Sequence, residues 1–189
     1  MAYGDVAQAQ ARDAVATVRE HSTLPITAWD KPWTGEGLNN AQGARRAKVS
    51  LLDWTPYRDT LYLDADTRVR GDVSAGFAML DDGWDLVMAP SDHQGPEWLW
   101  HVSEKERAET EQRYLFRPVQ LQAGVFFVRD TARTRALFGA WRAEWTAHQG
   151  EDQAALLRAL LRCPVRLWLL GRPWNGGALI GHLFGRCRG

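Results

Sequence analysis

The fold of this chain is most constrained by a short buried-strand pattern that ends in two carboxylates. Residues 60–63 read Thr-Leu-Tyr-Leu, and Asp64 and Asp66 follow at once with Ala65 between them. In open α/β sheets, ligands bind outside the carboxyl ends of the strands, and we expect this acidic pair to face such a crevice. The two carboxylates could hold a divalent cation such as Mg²⁺ or Mn²⁺. A solvated turn is the alternative, because Asp is common in turns.

The composition limits the chain to a few protein classes. With 189 residues, of which 45% are hydrophobic, it is long enough for one well-cored domain. Lys plus Arg and Asp plus Glu both number 23, and the balance predicts no nucleic-acid partner. No apolar stretch is long enough for a transmembrane segment and no secretory core is apparent, which predicts a cytoplasmic location.

Cysteine and tryptophan add two expectations. Cys163 and Cys187 are isolated, without the spacing of zinc or redox motifs, and they make no disulfide framework. The ten tryptophans are expected mostly in core or rim packing. An indole face also stacks well on flat apolar ligand surfaces.

The first quarter of the chain predicts a helix over residues 6–21, a strand over 24–29, a loop over 31–43 and a helix over 44–54. A doubly wound sheet normally places a strand before the first helix. Residues 2–4 look like the loop after such a strand, which is apparently missing. A late start codon, a clipped chain and a protein that manages without the strand are all consistent with this start.

The rest of the chain continues to alternate between strands and helices. The patterns predict a helix at 73–80, a strand at 85–89, an irregular segment at 90–118 with a charged helix at 103–114, a strand at 120–129, helices at 131–148 and from about 150 to 162, and a strand at 165–170 before a glycine-rich tail. This order favours an α/β nucleotide-binding fold.

Four motifs in this order resemble those of a known enzyme family. They are the Asp-x-Asp segment at 61–67, Gln-Ala-Gly-Val-Phe at 122–126, Asp-Gln at 152–153 and Ile-Gly-His-Leu-Phe-Gly at 180–185. Together they resemble the GT-A nucleotide-sugar glycosyltransferases of the glycogenin and bacterial galactosyltransferase type, glycosyltransferase family 8. The motifs are spread over nearly the whole chain.

This resemblance implies a single Rossmann-like GT-A domain over residues 1–189, with a mixed, mainly parallel sheet and flanking helices. It implies transfer of a hexose from a nucleotide-diphosphate sugar to a hydroxyl acceptor. A uridine diphosphate (UDP) sugar is the expected donor, and the acceptor could be a saccharide, a lipid-linked molecule or a protein.

The resemblance also implies a metal site. Asp64 and Asp66 would hold Mn²⁺ or Mg²⁺ with His182 as the third protein ligand. The cation would grip the donor diphosphate and neutralise the charge that develops as the nucleoside diphosphate leaves.

Further residues are placed around the donor by the same resemblance. Tyr3 and Gly4 would lie near the nucleobase, Arg45 and Lys48 near the diphosphate or ribose, and Arg186 or Arg188 near a phosphate. The remaining positions that the resemblance places at the donor are Asp64, Ala65, Asp66, Gln122, Ala123 and Gly124.

The catalytic positions follow in the same way. Asp152 would bond sugar hydroxyls and Gln153 would lie close to the reacting carbon. If the reaction inverts the anomeric centre, a carboxylate must act as base on the acceptor, and Asp92 and Glu97 are the candidates by region.

The chain departs from the family pattern at Gln122, where Asn is usual, and after Gly185, where Lys-Pro-Trp is missing. These departures leave two other functions open. A non-catalytic domain that binds sugar nucleotides is consistent with the missing first strand. A phosphatase of the haloacid dehalogenase class also has Asp-x-Asp after a strand, but its motif lies near the N-terminus and has a small residue where Arg68 stands here.

Overall fold

The computed structural model of the chain describes residues 5–29 and 40–184, which form alternating helices and strands. The helices are Asp5–His21 (α1), Asn40–Val49 (α2), Leu51–Trp54 (α3), Ser74–Asp81 (α4), Glu104–Gln112 (α5), Ala132–His148 (α6) and Asp152–Arg162 (α7), with short 3₁₀ turns at Gly95–Glu97 and Arg172–Trp174. The strands are Asp59–Leu63 (β1), Thr67–Val69 (β2), Leu86–Pro90 (β3), Leu121–Arg129 (β4), Leu167–Leu169 (β5) and Ile180–His182 (β6). The predicted α/β class is confirmed.

The main sheet has the strand order β1-β4-β3-β5. Strand β4 runs antiparallel to both β1 and β3, and β3 pairs in parallel with β5. The sheet is mixed as predicted, but among the described strands its pairing is mostly antiparallel rather than mainly parallel. The reason is that residues 91–120 leave and re-enter the sheet at the same end, where the Ser91 amide donates to the Gln120 carbonyl at 2.8 Å.

Two parts of the fold differ from the sequence prediction. A two-stranded sheet forms where no strand was predicted, with β2 antiparallel to β6. The predicted strand at 24–29 is wrong, because no backbone ladder reaches it from the residues that the structure describes. Its Thr27 hydroxyl bonds instead to that of Tyr57 at 2.9 Å, and Ile26 packs on the core.

Strand β4 is buried on both faces because helices cover the sheet on both sides. Phe126 packs against Trp141 of α6, and Phe127 meets Phe77 of α4 edge-on from the other side. A Cβ at Gly76 would lie 2.1 Å from the Phe127 ring, which shows how closely α4 approaches the sheet. Among the described helices, none is both long and apolar enough to span a bilayer.

The irregular segment 91–120 is fixed to the rest of the fold by a buried charge network. Arg158 of α7 is fully buried and donates to Glu144 of α6 at 3.0 Å. It also donates to Glu106 and Thr110 of α5, at 3.0 and 2.7 Å. Because both carboxylates and the guanidinium are out of water, each depends on the others for its solvation.

Replacing Arg158 by Ala should lower the free energy of unfolding by about 3–5 kcal/mol, because it removes the cation that pairs with the buried Glu106 and one of the three cations that pair with Glu144. Urea denaturation followed by circular dichroism measures the change. The matched control is Arg162→Ala, which removes a partner of the same Glu144 from an exposed position and should cost less than about 1 kcal/mol. Equal losses in the two variants would contradict the assigned network.

The same network should give a defined pH dependence. Burial, which by itself raises the pKa of Glu144, is outweighed by the hydrogen bonds from Arg113, Arg158 and Arg162, and the pKa lies below its ordinary value of 4.5. The stabilisation by ionised Glu144 is therefore complete above about pH 4.5 and is lost as the pH falls through the lower folded pKa. The difference in unfolding free energy between wild type and Glu144→Gln should therefore shrink as the pH falls below about 4.5. A difference that does not change with pH would contradict the assigned ionisation of Glu144.

Candidate functional site

The end of β1 and the turn after it place the acidic pair. The Asp64 amide donates to the Gly124 carbonyl of β4 at 2.8 Å, which continues the ladder one residue past the strand. The Thr67 amide and hydroxyl then donate to the Asp64 carbonyl at 3.1 and 2.7 Å, closing a tight turn. This turn fixes Asp64 and Asp66 on the carboxyl end of β1.

The pairing of β2 with β6 brings His182 to the same place from the other end of the chain. Thr67 lies opposite His182 in the register, and the Leu183 amide donates to the Asp66 carbonyl at 3.0 Å. His182 Nε2 lies 3.2 Å from Asp66 Oδ1. The two-stranded sheet therefore positions this imidazole against the acidic turn.

One side-chain atom from each of Asp64, Asp66 and His182 lies within 4.8 Å of the other two. Carboxylate oxygens and an imidazole nitrogen are suitable ligands for Mn²⁺, and the carboxylates also suit Mg²⁺. The donor set therefore fits a divalent cation. The structure brings together all three residues that the resemblance implied as ligands.

Asn175 orients the His182 ring. His182 Nδ1 lies 2.7 Å from Asn175 Oδ1, and because an amide oxygen only accepts, Nδ1 must donate. The other ring nitrogen, Nε2, faces the acidic turn. A partner of this kind commonly sets the tautomer of a metal-binding histidine. Asn175 is buried and was not predicted as a site residue; a lone Asn in a glycine-rich tail carries no periodic signal.

Gly124 leaves the space in which these side chains meet. A Cβ at this position would lie 2.2 Å from His182 Cε1 and 2.8 Å from Asp64 Oδ2. No side chain can occupy that volume without moving one of them. The glycine of the Gln-Ala-Gly motif is therefore a steric requirement of the site.

Lys48 connects the acidic pair to the start of α7. Its Nζ lies 3.1 Å from Asp64 Oδ1 and 2.7 Å from Asp152 Oδ2. Burial by itself lowers the pKa of Lys48, but the Asp152 and Asp64 carboxylates outweigh it and hold the pKa above its ordinary value. The ammonium stays charged and keeps the two carboxylates facing one another.

Tyr62, in strand β1, also binds Asp64. Its hydroxyl donates to Asp64 Oδ1 at 2.8 Å. Burial first, and the Asp64 carboxylate second, raise the pKa of this phenol well above its ordinary value. Asp64 therefore receives hydrogen bonds from a neutral phenol and an ammonium, which fix its orientation.

Asp152 and Gln153 begin α7 beside this group. Asp152 is almost fully buried, and its carbonyl accepts from the Trp141 indole at 2.8 Å. Gln153 Nε2 lies 3.4 Å from His101 Nε2. The Gln153 Oε1 atom is buried and has no hydrogen-bond partner among residues 5–29 and 40–184.

Three further predicted site residues form the following contacts. Arg45 pairs with Glu151 at 2.5 Å, next to Asp152. Gln122 contributes its carbonyl to Asn175 Nδ2 at 3.5 Å, and the Ala65 carbonyl accepts from Arg68.

The remaining predictions are placed as follows. Ala123 is buried in the main core. Asp92 lies 3.2 Å from Arg172, and Glu97 accepts from His93 at 2.7 Å. Outside the described residues lie Tyr3, Gly4, Arg186 and Arg188.

An apolar cavity of about 370 Å³ opens beside the acidic turn. It runs along the edge of β1 that pairs with no other described strand, between α1 and residues 24–29, and its lining reaches Asp64 and Ala65. The rings of Trp29 and Trp54 meet at one side, tilted by 33° with centroids 4.8 Å apart. The cavity is large enough for part of a small-molecule ligand.

No protein-family model matches the sequence, and no curated protein sequence matches it significantly. Solved structures match in fold. The chain is similar to mouse xyloside xylosyltransferase 1 in its apo form, with a TM-score of 0.51 and 14% identity over 89% of this chain and 62% of that one. It is similar to the bifunctional glycosyltransferase WbbM, with a TM-score of 0.51 and 14% identity over 70% of this chain and 25% of that one. Galactosyltransferase LgtC, in complex with donor and acceptor sugar analogues, gives a TM-score of 0.42 and 16% identity, covering 70% of this chain and 46% of that one.

These likenesses show that the chain has the GT-A fold of glycosyltransferases, as the four motifs implied. At such identities they show the fold and leave the particular family open. The chain spans less than two thirds of the length of each of these proteins.

Replacing Gly124 by Ala should weaken Mn²⁺ binding at least about tenfold, because the added methyl group displaces His182 or Asp64. The electron paramagnetic resonance signal of free Mn²⁺ measures the affinity. Gly139→Ala is the control, since a Cβ at that position in α6 meets nothing within 4 Å. Unchanged affinity in Gly124→Ala, in a folded sample, would contradict the steric role of this glycine.

Proposed function

We propose that the chain is a metal-dependent glycosyltransferase that moves a hexose from a nucleotide-diphosphate sugar, with UDP as the expected nucleotide, to a hydroxyl acceptor. The observation that carries the proposal is the meeting of Asp64, Asp66 and His182, with ligand atoms within 4.8 Å, at the carboxyl end of β1. The GT-A fold supports it, since ligands of such sheets bind at this edge.

In this proposal Asp64, Asp66 and His182 would hold Mn²⁺ or Mg²⁺, which would bind the donor diphosphate. The cation supplies Lewis-acid stabilisation of the leaving nucleoside diphosphate. Asn175 holds the His182 tautomer that presents Nε2, and Tyr62 and Lys48 hold Asp64. The ligands are thus preorganised by bonds that exist before any donor binds.

The nucleoside end of the donor is assigned to the cavity beside β1. Its lining is mostly apolar and reaches Asp64, so a base bound there would leave the diphosphate at the acidic turn. Tyr3 and Gly4 are proposed to contact the base, and Arg186 a phosphate, on the resemblance alone. Arg45 is proposed to approach the diphosphate from α2, where it now pairs with Glu151.

The transfer itself breaks the bond between the anomeric carbon and the diphosphate oxygen, whose electron pair leaves with the nucleoside diphosphate. A bond forms between that carbon and the acceptor oxygen, whose proton passes to a carboxylate base, Asp92 or Glu97, if the anomeric centre inverts, or to the departing diphosphate if it is retained. Asp152 is proposed to bond the sugar hydroxyls, and Gln153 to lie at the reacting carbon. Its Oε1, which has no partner among the described residues, is available to a hydroxyl. The structure is compatible with retention or inversion.

Calorimetry with UDP should detect binding that requires Mn²⁺ and disappears with a chelator. Asp64→Ala and Asp66→Ala should each abolish the cation-dependent part, because each removes one ligand of the cation. Tight Mn²⁺-dependent binding retained in both variants would remove the metal assignment.

Asp81→Ala is the control for this measurement. Asp81 is an exposed carboxylate that pairs with Arg129 on the surface, so its loss removes one negative charge without touching the site. Its UDP affinity should match that of the wild type. Release of free hexose from a UDP-sugar then separates an enzyme from a protein that only binds the nucleotide: turnover supports the transferase, and binding without turnover supports the non-catalytic alternative.

A further inference from the structure

Residues 98–100 turn two large side chains inward and one outward. Trp98 is 1% exposed and Leu99 is fully buried, whereas Trp100 is 58% exposed. The turn requires a positive φ of 51° at Leu99, an uncommon conformation for a residue with a branched side chain. The fold therefore accepts local strain at a position that presents an indole to solvent.

The surrounding segment holds this turn firmly. The Trp98 indole donates to the Pro118 carbonyl at 2.9 Å, and the Leu99 amide donates to Gln120 Oε1 at 2.8 Å. Gln94 in turn donates to the Gln120 carbonyl at 2.8 Å. Trp100 is thus carried by a fixed backbone, which lowers the entropy that it must lose on binding a ligand.

Two imidazoles stand edge-on to the Trp100 ring. The His93 centroid lies 5.5 Å away at 62°, and the His101 centroid lies 5.8 Å away at 76°. His93 donates to Glu97 at 2.7 Å, which fixes its ring. The result is an exposed aromatic face bordered by groups that can hydrogen-bond to hydroxyls; we name His93, Trp100 and His101 the indole platform.

The indole platform is continuous with the proposed transfer site. Gln153 Nε2 donates to His101 Nε2 at 3.4 Å, and the other amide atom of Gln153 is the buried oxygen without a partner among the described residues. Burial lowers the pKa of His101, so its ring is neutral at neutral pH and can both donate and accept. A chain of contacts thus runs from Trp100 to the start of α7.

Two other exposed apolar residues of this segment have no described link to the proposed transfer site. Leu115 and Phe116 are 101% and 79% exposed at the end of α5. Neither is linked by a described contact to Asp152 or Gln153. Single exposed apolar residues of this kind are ordinary, whereas Trp100 combines exposure with polar neighbours and a link to the site.

We propose that the indole platform binds a sugar ring of the acceptor, with the apolar face of the ring stacked on Trp100 and a hydroxyl bonded to His101. A pyranose offers this pair of features, an apolar face of C–H groups and hydroxyls at its edge. The inference rests on the proposed function, because it takes the group beside Gln153 as the place of transfer. The acceptor class is therefore a saccharide.

The test is binding of the full chain to an array of immobilised oligosaccharides in the presence of UDP and Mn²⁺. The wild type should bind at least one class of glycan, and Trp100→Ala should reduce that binding at least about fivefold through loss of stacking. Trp100→Phe should restore part of it. Phe116→Ala, which removes an exposed aromatic ring from the same segment, should bind like the wild type.

A wild type that binds no glycan, or a Trp100→Ala variant that binds as well as the wild type, would overturn the proposal. Calorimetry with UDP and Mn²⁺ on the same samples keeps the two proposals apart. If Trp100→Ala binds UDP within about twofold of wild type and loses only the glycan, the platform serves the acceptor. If the wild type fails to bind UDP, the donor site and hence the proposed function are at fault.

Discussion

The candidate site depends on a close approach at one backbone position. At Gly124, the side chain that any other residue would carry is replaced by the imidazole of His182 and a carboxylate oxygen of Asp64. The same residue accepts the Asp64 amide through its carbonyl. The central strand β4 therefore holds the acidic turn in place through its backbone and leaves the volume that the His182 imidazole occupies.

Around this point, the charged side chains are paired with one another and with polar neighbours. Lys48 lies between Asp64 and Asp152, and Asn175 and Tyr62 each donate to or accept from a residue of the ligand set. A second buried network, centred on Arg158, performs the same role between α5, α6 and α7. The first network organises the proposed donor end of the site, and the second holds the segment that carries the indole platform.

Much of this arrangement was accessible from sequence, for identifiable reasons. Long elements such as α6 and β4 were predicted close to their observed bounds, because large apolar residues recur on one face of α6 and β4 contains a continuous apolar run. Strands β2 and β6 were missed because three residues are too few to show alternation. The mostly antiparallel pairing was missed because it depends on which end of the sheet the irregular segment 91–120 returns to.

The site residues likewise divide into those that the sequence motifs predicted and those that only the structure revealed. The order of four short motifs placed Asp64, Asp66 and His182 in one site, and the structure brings them within reach of a single ion. Asn175 and His101 were not predicted, since their importance comes only from the residues they contact in space. Side chains that orient others leave little trace in a single sequence.

The pairing of Thr67 with His182 has a consequence for how the site comes into being. The acidic turn is made early in the chain, but His182, the proposed third ligand, arrives only when a strand from the far end adds to β2. Such a long-range contact must close a large loop, and the entropy cost of closure makes it slow to form. The contact stabilises the chain only once the loop is closed. A divalent cation would bind tightly only to the finished structure, and so would shift the equilibrium towards the fully closed chain.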